Sequence, residues 1–200
     1  KGKITFFPYA VSNFSGEAPF VVNAAVTVQG GRWTVDSHVD MSKTQNLGSE
    51  QDAFAVPWQL DKSATVQVKV EKMDNMVPAG ETVLFMKVDA QGHDFRVLQG
   101  ADQLLTDQRV LVLLAEFNPT LMKGGWREGT EMLEYLADKG YVCSACGTTW
   151  PLGMEQGLPI DFAEWTRHIY NQKFEHRGAN HGQWDDIVCF ADSARRSLAS

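Results

Sequence analysis

Three side chains are placed where proton-transfer chemistry would need them: Asp89, His93 and Glu116. Asp89 and His93 follow an apolar run at residues 83–88, and Glu116 follows a second apolar run at residues 110–115. A carboxylate or an imidazole within hydrogen-bond reach of a substrate can remove its proton. We take all three as candidate catalytic residues, and we leave open a structural role for each, as a strand-end cap or as the partner of a backbone group.

The two apolar runs have the composition of strands that are buried on both faces, as in a parallel sheet. Between them, apolar residues within residues 95–105 fall on one face of a predicted helix. In an open α/β sheet, ligands lie beyond the carboxyl ends of the strands. This strand–helix–strand unit would therefore bring Asp89, His93 and Glu116 to one edge.

The same residues carry a family resemblance. Lys-Val-Asp-Ala-Gln-Gly-His-Asp at residues 87–94, Val-Leu-Gln-Gly-Ala at 97–101 and Ala-Glu-Phe at 115–117 resemble the central signature of the FkbM family of S-adenosylmethionine-dependent methyltransferases. That family usually has Lys-Ile-Asp-Val-Glu-Gly-x-Glu, then Leu-x-Gly-Ala, then a strand that ends in Glu. Gln91 and Asp94 stand where the family usually has glutamates.

The resemblance implies a fold and a cofactor. It implies an α/β, Rossmann-like class I methyltransferase sheet, mostly parallel, with an inserted β-hairpin around Gly30 and Gly31. It implies methyl transfer from S-adenosylmethionine to an oxygen of a small molecule or sugar, with Asp89 as a cofactor-binding residue. The match begins at the family's third strand, so the first two strand–helix units, about 60 residues, are expected to be absent from this chain.

The chain is predicted to form one methyltransferase-like domain over residues 1–200. Its parts are a β-rich region at 1–80, an α/β core at 81–192 and a tail at 193–200. Outside the central unit, hydrophobic patterning and capping residues predict five strands and two helices. The predicted strands are residues 3–7, 19–22, 65–70, 141–143 and 185–191, and the helices are 130–140, with Thr130 as N-cap, and 161–168.

A second, non-enzymatic hypothesis comes from the same family resemblance. In the usual methyltransferase sheet the first strand lies beside the fourth, so residues 83–88 would be left at an open, apolar edge. The absent units, another subunit, or Trp33 and Trp58 would have to cover it. Gln91 also removes a charge from the candidate site. The alternative is therefore a methyltransferase-derived pseudoenzyme that serves as a structural or interaction subunit of a larger complex.

Composition narrows the partners and the compartment. A net charge of −7 argues against a nucleic-acid binder, and no apolar run approaches the length of a membrane span, about 18 residues. Three cysteines do not make a disulfide framework, so we expect an intracellular, soluble protein in an unspecified reducing compartment. Cys143 and Cys146 form a C-x-x-C that fits half a zinc site, a redox pair or ordinary strand cysteines, and we predict no metal site.

Overall fold

The computed structural model describes residues 4–23, 36–39, 63–146, 161–171, 173–176, 179–182 and 185–194. The strands are β1 (Ala10–Val11), β2 (Gly16–Asn23), β3 (Asp36–Val39), β4 (Ser63–Glu71), β5 (Val83–Val88), β6 (Val110–Phe117), β7 (Tyr141–Ala145), β8 (Lys173–His176), β9 (Ala179–Gly182) and β10 (Asp185–Ala191). The helices are α1 (Met73–Met76), α2 (Asp94–Gln99), α3 (Asp102–Thr106), α4 (Trp126–Asp138) and α5 (Phe162–Asn171).

The first sheet has the strand order β1-β4-β2-β3. β2 pairs antiparallel with both β3 and β4, and the short β1 pairs parallel with β4. The strands predicted at residues 19–22 and 65–70 are confirmed within β2 and β4. The strand predicted at residues 3–7 is wrong, because residues 4–9 form no regular structure and Ile4 is 96% exposed. Its apolar residues have strand propensity but no described neighbouring strand to pair with.

The second sheet positions the candidate site, and its order is β5-β6-β10-β7. β5 and β6 are adjacent and parallel, with Val88 opposite Ala115, as predicted. β10 lies between β6 and β7 and runs antiparallel to both. Only one of the three strand pairs is therefore parallel, so the described sheet is mixed and the prediction of a mostly parallel sheet is not confirmed, whereas the α/β class is. The apolar composition of β10 marks it as buried, but composition does not encode strand direction.

The helices follow the apolar pattern with shifted boundaries. The single helix predicted within residues 95–105 is two helices, α2 and α3, separated by Gly100 and Ala101. α4 begins at Trp126 rather than after Thr130, whose hydroxyl donates to the Trp126 carbonyl over 2.9 Å inside the helix. Gly140 follows the end of α4 with a φ of 77°, the left-handed conformation that favours glycine after a helix.

A single apolar core joins the second sheet to its helices. The Phe117 ring at the end of β6 stacks on Trp165 of α5 with 4.8 Å between ring centroids. A disulfide links Cys143 of β7 to Cys189 of β10, residues directly opposite each other, and Cys146 is free. The spacing of three cysteines did not predict this pairing. The largest fully buried core side chains are Trp165, Phe117, Leu98, Leu104, Leu105, Leu113, Met132, Leu133, Leu136, Ile169 and Ile187.

β5 lies at an edge of the second sheet. Among the described residues no strand pairs with its outer side, and Leu84 and Phe85 are 72% and 57% exposed. The predicted hairpin around Gly30 and Gly31, together with Trp33 and Trp58, lies outside the described residues. Every helix in the described ranges is too short or too polar to cross a bilayer.

Candidate functional site

The loop between β5 and α2 is held in a tight, partly left-handed turn. The buried carboxylate of Asp94 accepts hydrogen bonds from the backbone N–H groups of Ala90, at 2.8 Å, and Gly92, at 3.0 Å. Gly92 has a φ of 88°, and a Cβ there would lie 2.6 Å from the Leu121 carbonyl oxygen. Only glycine fits both this conformation and this approach.

The turn places Gln91 between the two candidate carboxylates. Its amide nitrogen donates to Asp89 Oδ1 over 3.0 Å and to Glu116 Oε2 over 2.9 Å. Asp89 follows β5 and Glu116 lies near the end of β6, so the parallel register that sets Val88 opposite Ala115 brings them together. The predicted meeting of Asp89 and Glu116 at one strand edge is what the structure shows.

The two carboxyl groups differ in acidity because their surroundings differ. The hydrogen bond from Lys87 Nζ to Asp89 Oδ2, 2.7 Å long, lowers the pKa of Asp89, and the attraction is mutual, since Asp89 raises the pKa of Lys87. Glu116 is buried, and desolvation, reinforced by the charges of Asp94, Asp89 and Asp186, raises its pKa to about 7.

Asp94 is the third acidic group of the site, and its pKa, like that of Glu116, is raised. Burial raises it to about 6, against the lowering effect of the backbone N–H groups that it accepts. Because both of its carboxylate oxygens are used by the turn, Asp94 holds the loop in place, while Asp89 remains 44% exposed at the surface of the site.

His93 lies next to the carboxylates in sequence but faces the first sheet. Its Nε2 is 3.0 Å from the hydroxyl of the buried Ser12, which follows β1. Desolvation, with a smaller contribution from Arg96, lowers its pKa to about 4, so the ring is neutral at physiological pH. The structure therefore places His93 at the junction of the two sheets.

Asn118 adds an acceptor with no donor. Its side chain is buried against the Glu116 carboxyl, and no described residue donates a hydrogen bond to its Oδ1. The hydrogen bond between Asn118 and Glu116 favours the ionised form of Glu116 and lowers its pKa, against the larger effect of burial. Asp89 and Glu116 together present carboxyl oxygens that can accept hydrogen bonds from hydroxyl or ammonium donors.

The described part of the chain offers no comparable arrangement for a metal. Within it, no group of three or more His, Cys, Asp or Glu side chains is placed to hold a metal ion. The two cysteines of the C-x-x-C do not act as a pair, since Cys143 forms the disulfide with Cys189 and Cys146 is a free thiol.

Sequence reasoning identified the carboxylates but missed the groups that organise them. Gln91 is visible in the sequence only as a departure from the family pattern, and the function of Asp94 as the loop's cap is not predicted by its position. An acidic residue two positions after a glycine is a usable signal for such a cap, because short acidic side chains accept from nearby backbone N–H groups. The contact of Ser12 with His93 joins residues 81 positions apart, so the local sequence does not predict it. Asn118 is only two residues from Glu116, but its hydrogen bond to that side chain depends on the path of the chain after β6.

Comparison with known proteins supports the resemblance in the signature. No curated protein and no solved structure matches the chain. The methyltransferase FkbM domain matches residues 3–143, which is 141 of the 200 residues and includes Asp89, His93 and Glu116. The chain belongs to the FkbM methyltransferase family.

Proposed function

We propose that this chain carries the acceptor-side chemistry of an S-adenosylmethionine-dependent O-methyltransferase, with Glu116 as the general base. The observation that carries the proposal is the carboxyl pair at the ends of two adjacent parallel strands, bridged by Gln91. Two neighbouring carboxyl groups whose surroundings drive their acidities apart are a common sign of divided acid–base roles.

Glu116 has the properties that the base requires. A pKa of about 7 lets a large fraction of the carboxylate stay ionised at neutral pH while it remains basic enough to accept a proton. When bound, S-adenosylmethionine supplies an electrophilic methyl group whose transfer to the hydroxyl oxygen breaks the carbon–sulfur bond and leaves S-adenosylhomocysteine. Glu116 takes the proton that the hydroxyl loses and then releases it to water.

Asp89 and His93 take supporting roles in this proposal. Asp89 stays ionised beside Lys87 and is exposed enough to accept hydrogen bonds from a bound hydroxyl or ammonium group of the cofactor or the acceptor. His93 is too weakly basic, with a pKa of about 4, to compete with Glu116 for the acceptor's proton, so we assign it a positioning role through Ser12.

Calorimetric titration of the intact natural protein with S-adenosylmethionine and S-adenosylhomocysteine tests the proposal. We expect saturable binding of both, weakened about tenfold or more by Asp89→Asn through loss of a charge-assisted hydrogen bond. The matched control is Asp138→Asn, an exposed residue at the end of α4, which should bind like the wild type. Absence of binding heat for both ligands in a folded wild-type protein would rule the proposal out.

The exposed edge of β5 favours a second candidate function, that of a non-catalytic interaction subunit. Leu84 and Phe85 present apolar side chains on a strand whose outer edge no described strand covers, and such an edge can accept a further strand. The fitting partner is an extended, apolar segment of another protein that adds to the sheet at β5.

Replacing Leu84 and Phe85 with lysine tests this second function. Charged residues on an edge strand oppose strand addition, so the double variant should lose association with the partner, measured by analytical ultracentrifugation. Val142→Lys on β7, the opposite edge strand, is the control, since Val142 is exposed there but has no comparable apolar neighbour among the exposed residues of β7. Equal association by wild type and double variant would exclude β5 as the docking edge.

A further inference from the structure

Gln91 is a neutral side chain that contacts both candidate carboxylates. Its amide nitrogen carries two protons, and the two bonds to Asp89 and Glu116 use both of them. One nitrogen therefore fixes where the two carboxylates lie relative to each other. The Glu116 carboxyl, when protonated, is also within hydrogen-bond reach of Asp89, so the three groups form one connected unit.

The backbone at Gln91 is in a conformation that its side chain does not favour. Its φ of 50° lies in the left-handed region, which costs a residue with a Cβ about 1 kcal/mol or more and which glycine, asparagine and aspartate adopt more readily. The turn is nonetheless held there by the Asp94 carboxylate. Residues kept in such conformations cluster at functional sites, where the surrounding structure fixes them for the position of the side chain.

The charges around Glu116 explain why an amide suits this position. Glu116 faces Asp89 and Asp94 from the β5–α2 segment, Asp186 from β10, and the amide of Asn118 just after β6. Among the described residues, Lys87 of β5 is the cation that interacts with Glu116, and it is bonded to Asp89. A carboxylate at position 91 would add a further negative charge between two existing ones. It would require a proton or a ligand cation to remain there.

We infer that Gln91 is the positioning residue of this site and that its amide holds Asp89 and Glu116 together; we call this arrangement the Gln91 clamp. A glutamate at position 91 could bridge the two carboxylates only with an added proton or a bound cation, whereas the amide of Gln91 supplies both hydrogen-bond donors itself. This inference rests on the proposed function for the importance of the pair, but the clamp itself is a property of the protein without ligand. It also removes the reason to regard Gln91 as a lost catalytic charge.

The two side-chain amide protons of Gln91 in the wild-type protein provide the first test. In a nitrogen-15 NMR pH titration, one proton should shift with the ionisation of Glu116 near neutral pH, because its acceptor gains charge there. The other should shift less, since Asp89 remains ionised from about pH 5 to pH 9 and responds to the ionisation of Glu116 only through their shared hydrogen bond. Two protons that both ignore the titration of Glu116 would overturn the inference.

Variants at position 91 provide the second test, read from the carbon-13 shifts of the Glu116 carboxyl. Gln91→Leu removes a donor to the ionised form and should raise the Glu116 midpoint by about one pH unit. Gln91→Glu adds a like charge and should raise it further, by about one to three units. Midpoints equal to the wild type in both folded variants would contradict the clamp, whatever the outcome for cofactor binding.

Gln108 supplies a matched control. It is also a glutamine in the left-handed region, with a φ of 51°, but its side chain donates to the Lys139 carbonyl and accepts from the Ser193 backbone N–H. Gln108→Glu should therefore alter stability without moving the Glu116 midpoint. Cofactor binding by calorimetry is scored separately, so a failure of the methyltransferase proposal and a failure of the clamp give different results.

Discussion

At the residue scale, Asp89 and Glu116 carry the same functional group under opposite influences. Lys87 donates to Asp89 and favours its ionised form, whereas burial and neighbouring carboxylates disfavour the ionised form of Glu116. Proximity alone would give a coupled pair with ill-defined roles. Because their surroundings differ, Asp89 stays ionised as a hydrogen-bond acceptor, and Glu116 is the group that titrates near neutral pH.

The raised pKa of Glu116 predicts a pH-dependent stability. The native state holds this proton more tightly than the unfolded chain, so the stabilisation is full below about pH 4.5 and is lost as the pH rises through about 7. The Glu116→Gln variant has no proton to lose at this position, so its unfolding free energy should not show this decrease. The difference in unfolding free energy between variant and wild type should therefore grow in favour of the variant by about 1 to 3 kcal/mol from pH 4 to pH 8. Urea unfolding across this range measures the difference, and a constant difference would contradict the raised pKa.

The carboxylate edge could be predicted from the sequence, whereas the clamp could not. Two apolar runs joined by a helical segment are enough to place Asp89 and Glu116 at the ends of neighbouring strands. The bridge by Gln91 depends on its left-handed backbone and on the register of β5 against β6, and neither quantity is encoded in residue types. The role of His93 depends on Ser12, which is 81 residues away in the chain.

At the scale of elements, the short loop from β5 to α2 determines the site. Asp94 closes the loop from inside, and Gly92 lets it pass against Leu121 in the segment after β6. The Asp94 hydrogen bonds lie within the loop, and the Gln91 hydrogen bond to Glu116 ties the loop to β6. The loop is therefore fixed from two directions, and Gln91 at its tip has a defined position.

Replacing Gly92 with alanine should disrupt this loop. The added Cβ would lie 2.6 Å from the Leu121 carbonyl oxygen, and the alanine would have to adopt a φ of 88°. We therefore expect a loss of about 3 kcal/mol in unfolding free energy. Gly80→Ala is the control, because Gly80 has a φ of 81° but open space around its Cβ position, and it should cost about 1 kcal/mol. Equal costs in urea unfolding would show that the close approach to Leu121 does not matter.

Strand direction is the feature of the elements that sequence analysis did not supply. The pairing of β5 with β6 followed from two similar apolar runs separated by a helix. β10 also contains an apolar run, but it lies antiparallel between β6 and β7, and it follows α5, β8 and β9 in the chain. The hydrophobic pattern predicts that residues 185–191 form a strand, but it does not predict the position of that strand in the sheet.

At the scale of the whole molecule, two sheets meet where the site is built. The Asp74 N–H donates to the Gly100 carbonyl over 3.0 Å, and Ser12 contacts His93 over 3.0 Å, so the connections at the end of the first sheet touch α2 and its loop. In the second sheet β5 and β7 are the two edge strands, and the disulfide links β7 to its inner neighbour β10.

The disulfide predicts a stability that depends on reductant. Cys143 and Cys189 are 46 residues apart, so their link restricts the unfolded chain and should contribute about 2 to 4 kcal/mol to the unfolding free energy. Adding reductant to the wild type should remove that contribution, and Cys189→Ala should be insensitive to it. Cys146→Ser, which leaves the pair intact, should behave like the wild type, whereas three titratable thiols in the untreated protein would show that the disulfide does not form.

The division of the carboxyl pair is most directly tested by a carbon-13 NMR pH titration of side-chain carboxyl groups in the wild-type protein. We predict a Glu116 midpoint near pH 7 and an Asp89 midpoint below its ordinary value of 3.8. Midpoints at 4.5 for Glu116 and 3.8 for Asp89, the ordinary values of the two side chains, would contradict the assignment of Glu116 as the base.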